Sequence, residues 1–389
     1  MKTAYIILPP SSELSTASFV PEYCVSFIKD QLKDMEAYFF DHENILCAEL
    51  QKILAGGIDV ITIIHASVIA FRSSLLQMTL AFDNKQIEMA APLLQNGSND
   101  QKPHLPFPYS DEETFKEVSN AVISLYEAHV RRADSISSEI FSCAASFVKK
   151  IPENLPVSEW IHHPLWMETP KYVAEGSIAH SFADYHTHVR EDLIRLIPHG
   201  AHNILDVGCG EGALGRRIKQ VLPGVKLSGV EIDPHAAARA VAVYDHVYVM
   251  PAEELQISEP LDCVICGDIL EHLKDPWMFL KKLHTLLQPQ GVVIGSVPNA
   301  GHWTVIEGLI KGRFRYIPAG ILCWDHLRFF TKESLCEMLC KAGFQISYLD
   351  SVQSALTPMG EQFVRLLEKT NMGDKSSLTT EQFLFRVEK

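Results

Sequence analysis

The stretch Leu205–Gly215 reads LDVGCGEGALG and is followed at Gly229–Pro234 by GVEIDP. The apolar run Asn203–Val207 ends in alternating glycines, Gly208, Gly210 and Gly212, and a second apolar run, Leu227–Val230, ends in Glu231. This is the pattern of a strand, a tight glycine turn and a helix N-terminus, where missing Cβ atoms let the backbone approach a ligand. Glu231 falls roughly 20 residues further on, where a doubly wound sheet sets a carboxylate against ribose hydroxyls. The glycines alone would suit a dinucleotide equally well. Asp206 argues otherwise, because a carboxylate at the loop repels a pyrophosphate and attracts a ligand bearing an ammonium group.

Outward from this core, strands and helices alternate as a parallel sheet requires. Strands are expected at Asp262–Asp268, Gly291–Val297, Gln345–Val352 and Gln382–Val387. Helices are expected at Gly212–Leu222, His235–Tyr244, Pro276–Leu287, Lys332–Ala342 and Gly360–Lys369. Thr331 is a good cap for the helix at Lys332, and Gly343 a good stop.

The glycine loop with Asp206, the acidic strand end at Glu231, the segment MPAEEL at Met250–Leu255 and the later strands together resemble the class I S-adenosylmethionine-dependent methyltransferases, over about residues 178–389. The resemblance implies an α/β, Rossmann-like fold with seven strands, mostly parallel and ending antiparallel, and S-adenosylmethionine as cofactor. By that resemblance Asp206, Gly208, Cys209, Gly210 and Gly212 surround the methionine part of the cofactor. Glu231 takes the ribose hydroxyls, Ile232 packs on the adenine, and Asp268 closes the cofactor side. The family's usual Asp facing the adenine amine is replaced here by Pro251, which passes that contact to Ala252 or Glu253. In a helix preceding the first strand, Arg190 is matched to the cofactor's carboxylate and Tyr185 to its methionine chain.

At 389 residues the chain is expected to hold two domains. Its net charge of -14 argues against a broad grip on nucleic acid phosphates. Nine scattered cysteines point to a reducing compartment. Cys263 and Cys266 form a CxxC, but three apart on a strand they face opposite sides. No stretch approaches the ~20 apolar residues of a membrane span, and the N-terminus lacks a signal-peptide pattern. A cytoplasmic protein is expected.

Residues 1–160 read as an accessory α/β domain, with strands at Thr3–Leu8 and Asp59–Ala66 and helices at Cys24–Phe39 and Phe115–Val130. Pro103–Pro108 reads as a proline-rich loop and Asn96-Gly97-Ser98 as a turn. The order from Asp59 to Gln101 resembles family 2 GT-A glycosyltransferases, with His65-Ala66-Ser67 at the position of the family's acidic DxD. Neither metal-holding carboxylate is kept, so the resemblance implies a degenerate domain. Residues 161–200 are expected to be a linker with a cofactor-covering helix, 201–389 the methyltransferase domain, and 299–330 a lid-like insertion.

Methyl transfer needs an acceptor held in line with the carbon–sulfur bond and, for a hydroxyl, a group that takes its proton. The candidate segment is Asp268-Ile269-Leu270-Glu271-His272, at the carboxyl end of a strand. His272 is placed as proton acceptor or substrate contact, with Asp268 and Glu271 beside it. The spacing also resembles the acidic-x-x-Glu-His element of metal-dependent RNA 2'-O-methyltransferases and ubiquinone-pathway O-methyltransferases. In the RNA enzymes a His from a WDH segment completes a metal site, and this chain has Trp324-Asp325-His326. A structural, pocket-lining role for the same residues is the second expectation. A divalent metal on Asp268, Glu271, His272 and His326 is the last of the three. Asn299, Trp303, Arg313 and His326 in the long connection are the expected acceptor contacts. The acceptor is expected to be a sugar hydroxyl in glycan or polysaccharide synthesis. The alternatives are a small phenolic or quinone-like metabolite, or a non-catalytic scaffold keeping the cofactor fold.

Overall fold

The computed structural model describes residues 1–9, 20–42, 45–95, 101, 112–181, 189–317 and 320–389. The chain divides into two compact units, one drawn from residues up to Asp184 and one running Tyr185–Lys389.

In the first unit, β1 (Thr3–Leu8), β2 (Ala37–Phe39), β3 (Val60–His65), β4 (Val68–Ile69), β5 (Met89–Gln95), β6 (Val130–Ala133), β7 (Ile140–Ala144) and β8 (Lys171–Ser181) form one sheet of order β2-β1-β3-β7-β5-β8-β4, with β6 also on β8. β7 is antiparallel to both of its neighbours. The stretch expected as one helix at Cys24–Phe39 is a helix, Val20–Gln31, followed by β2. Asp34, at φ +68°, turns the chain between them. The helix expected to reach Val130 stops at Tyr126, and Ala128 at φ +57° redirects the chain into β6. Within the stretch expected as a linker, 161–200, residues Lys171–Ser181 form β8, an eleven-residue integral strand of this sheet, and the two compact units divide at Asp184 instead of at 160. The physical reason is pairing on both sides, with β5 along one edge and β4 and β6 along the other. Pro103–Pro108 and Asn96-Gly97-Ser98 lie outside the described residues.

The second unit holds β9 (Asn203–Val207), β10 (Lys226–Glu231), β11 (His246–Val249), β12 (Leu261–Gly267), β13 (Leu287–Pro298), β14 (Gln345–Gln353) and β15 (Thr380–Glu388). Their order is β11-β10-β9-β12-β13-β15-β14, parallel from β11 to β13, with β15 antiparallel to β13 and β14. Central strands are apolar on both faces because helices cover both. Cys263, Ile265, Val292 and Ile294 enter one core layer, and Val264, Cys266, Val293 and Val297 the other. Cys263 and Cys266 therefore sit on opposite faces of the sheet, fully buried, as core residues. The expected helices appear at Ala213–Val221, Pro234–Ala240, Pro276–Leu286, Lys332–Lys341 and Pro358–Lys369. Asp233 caps the second through the His235 amide at 2.9 Å, and Thr331 with Ser334 forms a capping box on the fourth. Among the described residues no helix is long and apolar enough to cross a membrane.

Candidate active site

In the second unit, β9 connects to β10 on one side of itself, while the chain returns to β12 on the other. Such a switch point leaves a crevice at the carboxyl ends of the strands. Here it opens as a cleft of about 410 Å³. Gly208, Gly210 and Gly212 take φ values of +75°, +53° and +86°, a region that L side chains rarely adopt. The Gly208 and Cys209 amides donate to the Val230 carbonyl at 2.8 and 3.0 Å, and the Gly210 amide donates to Glu231 Oε2 at 2.8 Å. Glu231 Oε1 accepts from the Asp233 amide at 2.9 Å. A carboxylate has about four lone-pair sites, so Glu231 retains capacity for a ligand's hydroxyls.

Asp206 is buried at the end of β9, where its Oδ2 accepts from the Tyr244 hydroxyl at 2.6 Å. Burial pushes its carboxyl up to about 7, against the pull of the Tyr244 bond and with the charge of Glu231 adding to the rise. Cys209 lines the cleft with its thiol kept protonated by burial. Ile232, 68% exposed, stands at the rim, while Met250, Pro251, Ala252 and Glu253 line the wall. Glu253 Oε1 also accepts from the Lys274 amide at 2.9 Å. Gly212 is not a lining residue; it is the left-handed N-cap of the helix Ala213–Val221.

Asp268 follows β12 at φ +53°. Its Oδ1 accepts from Ser296 Oγ at 2.9 Å and from Gln382 Nε2 at 2.5 Å, and its Oδ2 from Arg190 Nη1. Arg190 also donates to Asp192 at 2.8 and 3.0 Å and to Gln382 Oε1 at 3.1 Å, which leaves an N–H on Nη1 for a ligand. Burial draws this guanidinium down, but Asp268 and Asp192 outweigh it and raise it overall. Tyr185, expected beside Arg190, lies outside the described residues.

Next to this network, Glu271 is 1% exposed and, among the described residues, neither of its carboxylate oxygens has a hydrogen-bond partner. Burial, and after it the charge of Asp268, pushes its carboxyl well above the usual range. Ligand atoms of Glu271, His272 and His326 lie within 4.8 Å of one another, and the two imidazoles cross edge-on with centroids 4.7 Å apart. His326 Nδ1 lies 3.0 Å from the Ile321 carbonyl, which can only accept, so Nδ1 carries hydrogen and Nε2 keeps its lone pair. His272 Nδ1 lies 3.5 Å from Asp325 Oδ2, which favours the same tautomer. Burial, then the neighbouring His272, pulls His326 below its ordinary value and keeps it neutral. Two imidazoles and an orphaned carboxylate, each imidazole steadied from behind, fit an oxygen- and nitrogen-liking divalent cation. Asp268 is not part of this set, because Arg190, Ser296 and Gln382 already occupy it.

Three expected acceptor contacts are corrected. Asn299 is 2% exposed and serves the backbone: its Nδ2 donates to Thr380 and Ser377 carbonyls at 2.8 and 3.1 Å, and its Oδ1 accepts from the Gly301 amide. Trp303 is 1% exposed in a core with Val364, Leu367 and Leu378. Arg313 is committed to the buried Glu307 carboxylate at 2.9 Å. Only His326 of the four faces the candidate metal set. Beyond it, Phe329, Phe314 and Tyr316 form a ring cluster, with Phe329 6.5 Å from His326 and Phe314 5.6 Å from Phe329.

Sequence reasoning did not find Tyr244, Asp325, Ser296 or Gln382 as partners of site residues. Each acts through a contact made by chain folding, with separations such as 38 residues for Tyr244 to Asp206 and 114 for Gln382 to Asp268. Ile269 carried a local signal, for it sits in the candidate segment itself. A Cβ on Gly208 would lie 2.1 Å from its Cδ1, so the Ile269 side chain occupies the space that a side chain at 208 would fill.

A family model described as a methyltransferase domain matches residues 179–349. The chain is 31% identical over 170 residues to a ubiquinone biosynthesis O-methyltransferase of Aeromonas salmonicida, covering 41% of this chain and 69% of that one. It is 29% identical over 178 residues to the protein of the same name from Azorhizobium caulinodans, again covering 41% and 69%. Among solved structures, an S-adenosylmethionine-dependent methyltransferase from Archaeoglobus fulgidus is similar with a TM-score of 0.39 at 19% identity, covering 54% of this chain and 98% of that one.

Proposed function

The chain belongs to the class I S-adenosylmethionine-dependent methyltransferases, and from this premise we propose that it methylates an oxygen of a hydroxyl-bearing small molecule, with a divalent cation on Glu271, His272 and His326. The observation that carries the reading is the orphaned, buried Glu271 carboxylate grouped with two imidazoles beside the cofactor cleft. An unpaired carboxyl in that position costs stability, which a cation ligated there would offset.

When bound, S-adenosylmethionine supplies the electrophilic methyl group, and a divalent cation supplies positive charge that acidifies the acceptor hydroxyl. The residues of the chain do the rest. Asp206 and the free Nη1 hydrogen of Arg190 orient the amino-acid end of the donor, and Glu231 its ribose. Asp268, held by Arg190, Ser296 and Gln382, fixes the wall between donor and acceptor. Positioning of this kind supplies up to ~7–11 kcal/mol in favourable reactions. His272 would hold the cation through Nε2, its one lone pair, with Asp325 on the Nδ1 side of the ring, and the proton of the acidified acceptor hydroxyl leaves to solvent.

A phenolic or quinol-like acceptor is the first choice. The Phe314–Tyr316–Phe329 rings leading to His326 offer a stacking surface, and the two relatives carry ubiquinone biosynthesis in their names. A sugar hydroxyl is the second reading, since the same rings suit the apolar face of a pyranose. Labelled S-adenosylmethionine offered with simple phenols and catechols in one arm, and with glycan fractions in the other, separates them. Label in the phenolic arm supports the first, label in the glycan arm the second, and label in neither contradicts both.

A further inference from the structure

Tyr244, just past the helix Pro234–Ala240, is 5% exposed and lies beneath the glycine loop. Its ring presses on three glycines. A Cβ on Gly215 would lie 2.4 Å from Cζ of the ring, one on Gly229 3.2 Å from Cδ1, and one on Gly212 3.3 Å from Cε2. Gly215 therefore makes room for the tyrosine, whereas a Cβ on Gly229 would first meet Cys209 Sγ at 2.6 Å and one on Gly212 would lie equally near Val243 at 3.3 Å. The ring's position delivers its hydroxyl to Asp206 Oδ2 at 2.6 Å.

The charged and titratable groups around Asp206 come from every element packed on it: Glu231 from β10, Cys209 from the loop, Cys263 and Cys266 from β12, and Tyr244. Glu231 opposes ionisation of Asp206, and burial keeps the three thiols neutral. Tyr244 is the member of this group that donates a hydrogen bond to the carboxylate. A donor to a carboxylate stabilises the anion more than the acid.

We propose that Tyr244 is a positioning residue that holds Asp206 as the anion receiving the cationic end of the methyl donor. The inference rests on the reading that S-adenosylmethionine occupies this cleft. It gives one glycine of this region a purpose apart from the ligand: Gly215 seats the ring whose hydroxyl keeps the cleft charged.

The test is calorimetric binding of S-adenosylmethionine to the full chain from about pH 6 to about pH 10, for wild type, Tyr244→Phe and Asp206→Asn. Wild-type affinity should rise with pH as Asp206 ionises and fall again above about pH 8 as the donor's α-amino group loses its charge. Tyr244→Phe should move the midpoint of the rising limb upward by about one pH unit and weaken binding by up to about tenfold on the acid side, with the falling limb unmoved. On the Asp206→Asn background, Tyr244→Phe should add no further pH dependence. A loss in Tyr244→Phe that is equal at every pH, with the midpoint unmoved, overturns the proposal and leaves Tyr244 as packing. Absence of binding by wild type at any pH overturns the cofactor reading itself, and the role of Tyr244 falls with it. Should Tyr244→Phe fail to fold, the hydroxyl proton of Tyr244 in the wild type is followed by NMR. Its resonance should shift with the Asp206 titration and again on donor binding; indifference to both overturns the proposal.

Discussion

His272 Nδ1 lies 3.5 Å from Asp325 Oδ2, so the carboxylate next to His326 in the chain sits beside the imidazole that faces the cleft from another segment. The WDH segment thus brings two side chains to this group, the His326 ring and the Asp325 carboxylate. Partners of this kind are typically worth 10–100-fold in metal affinity or activity. Asp325→Asn is expected to lower kcat by about tenfold or more, with the Kd for S-adenosylmethionine within about threefold of wild type. Steady-state kinetics alongside calorimetry check this, and an unchanged kcat would remove Asp325 from the site.

Glu271 predicts a trade between stability and function. Its buried carboxylate has no partner among the described residues, so Glu271→Met should raise the stability of metal-free protein by about 1–3 kcal/mol while abolishing divalent-cation binding and methyl transfer. Denaturant melts in the presence of chelator, paired with Mn²⁺ binding followed by electron paramagnetic resonance, read both sides. A destabilised variant that still binds the ion at wild-type affinity would contradict the assignment.

Asp206 predicts a pH dependence of stability. Its folded-state value of about 7 lies above the ~3.9 of an unfolded aspartate. Between those values the folded chain binds more protons than the unfolded one, so stability falls as pH rises. The contribution is fully present below about pH 4 and is lost as pH climbs through about 7. Relative to Asp206→Asn, wild type should lose on the order of a few kcal/mol across that window. Paired urea melts at several pH values measure the difference, and a flat difference would show that Asp206 ionises normally.

Trp303 predicts a structural phenotype only. It fills a core with Val364, Leu367 and Leu378, and a Cβ on Gly360 would lie 2.8 Å from its ring. Trp303→Ala should cost about 3–5 kcal/mol, and the protein that remains folded should keep the wild-type acceptor KM. A raised KM at full stability would return Trp303 to the acceptor site.

The sheet of the second unit was legible because its signals are local. Apolar runs, glycine turns and caps such as Thr331 act over a few residues, and they placed six of the seven strands of this sheet, all but β11 (His246–Val249). Asp206, Glu231 and the Asp268–His272 segment stood out for the same reason, and the fold sets Asp206, Glu231, Asp268 and His272 around one cleft. The role of Asp268 could not, because its partners Arg190, Ser296 and Gln382 converge only on folding. Asn299, Trp303 and Arg313 misled because polar and aromatic residues in a long connection look the same whether they meet a ligand or lock the connection down. Arg313 serves Glu307, and Asn299 the backbone before β15. In the first unit the turns at Asp34 and Ala128 hid two strands, since neither residue type announces a left-handed turn strongly.

The most direct test of the account is methyl transfer from S-adenosylmethionine to a phenolic acceptor by protein stripped of metal and verified to be metal-free, before and after titration with Mg²⁺ or Mn²⁺. The Glu271–His272–His326 site predicts activity lost on stripping and restored by the ion in wild type, but not in Glu271→Gln. Full activity in the verified metal-free protein would contradict it.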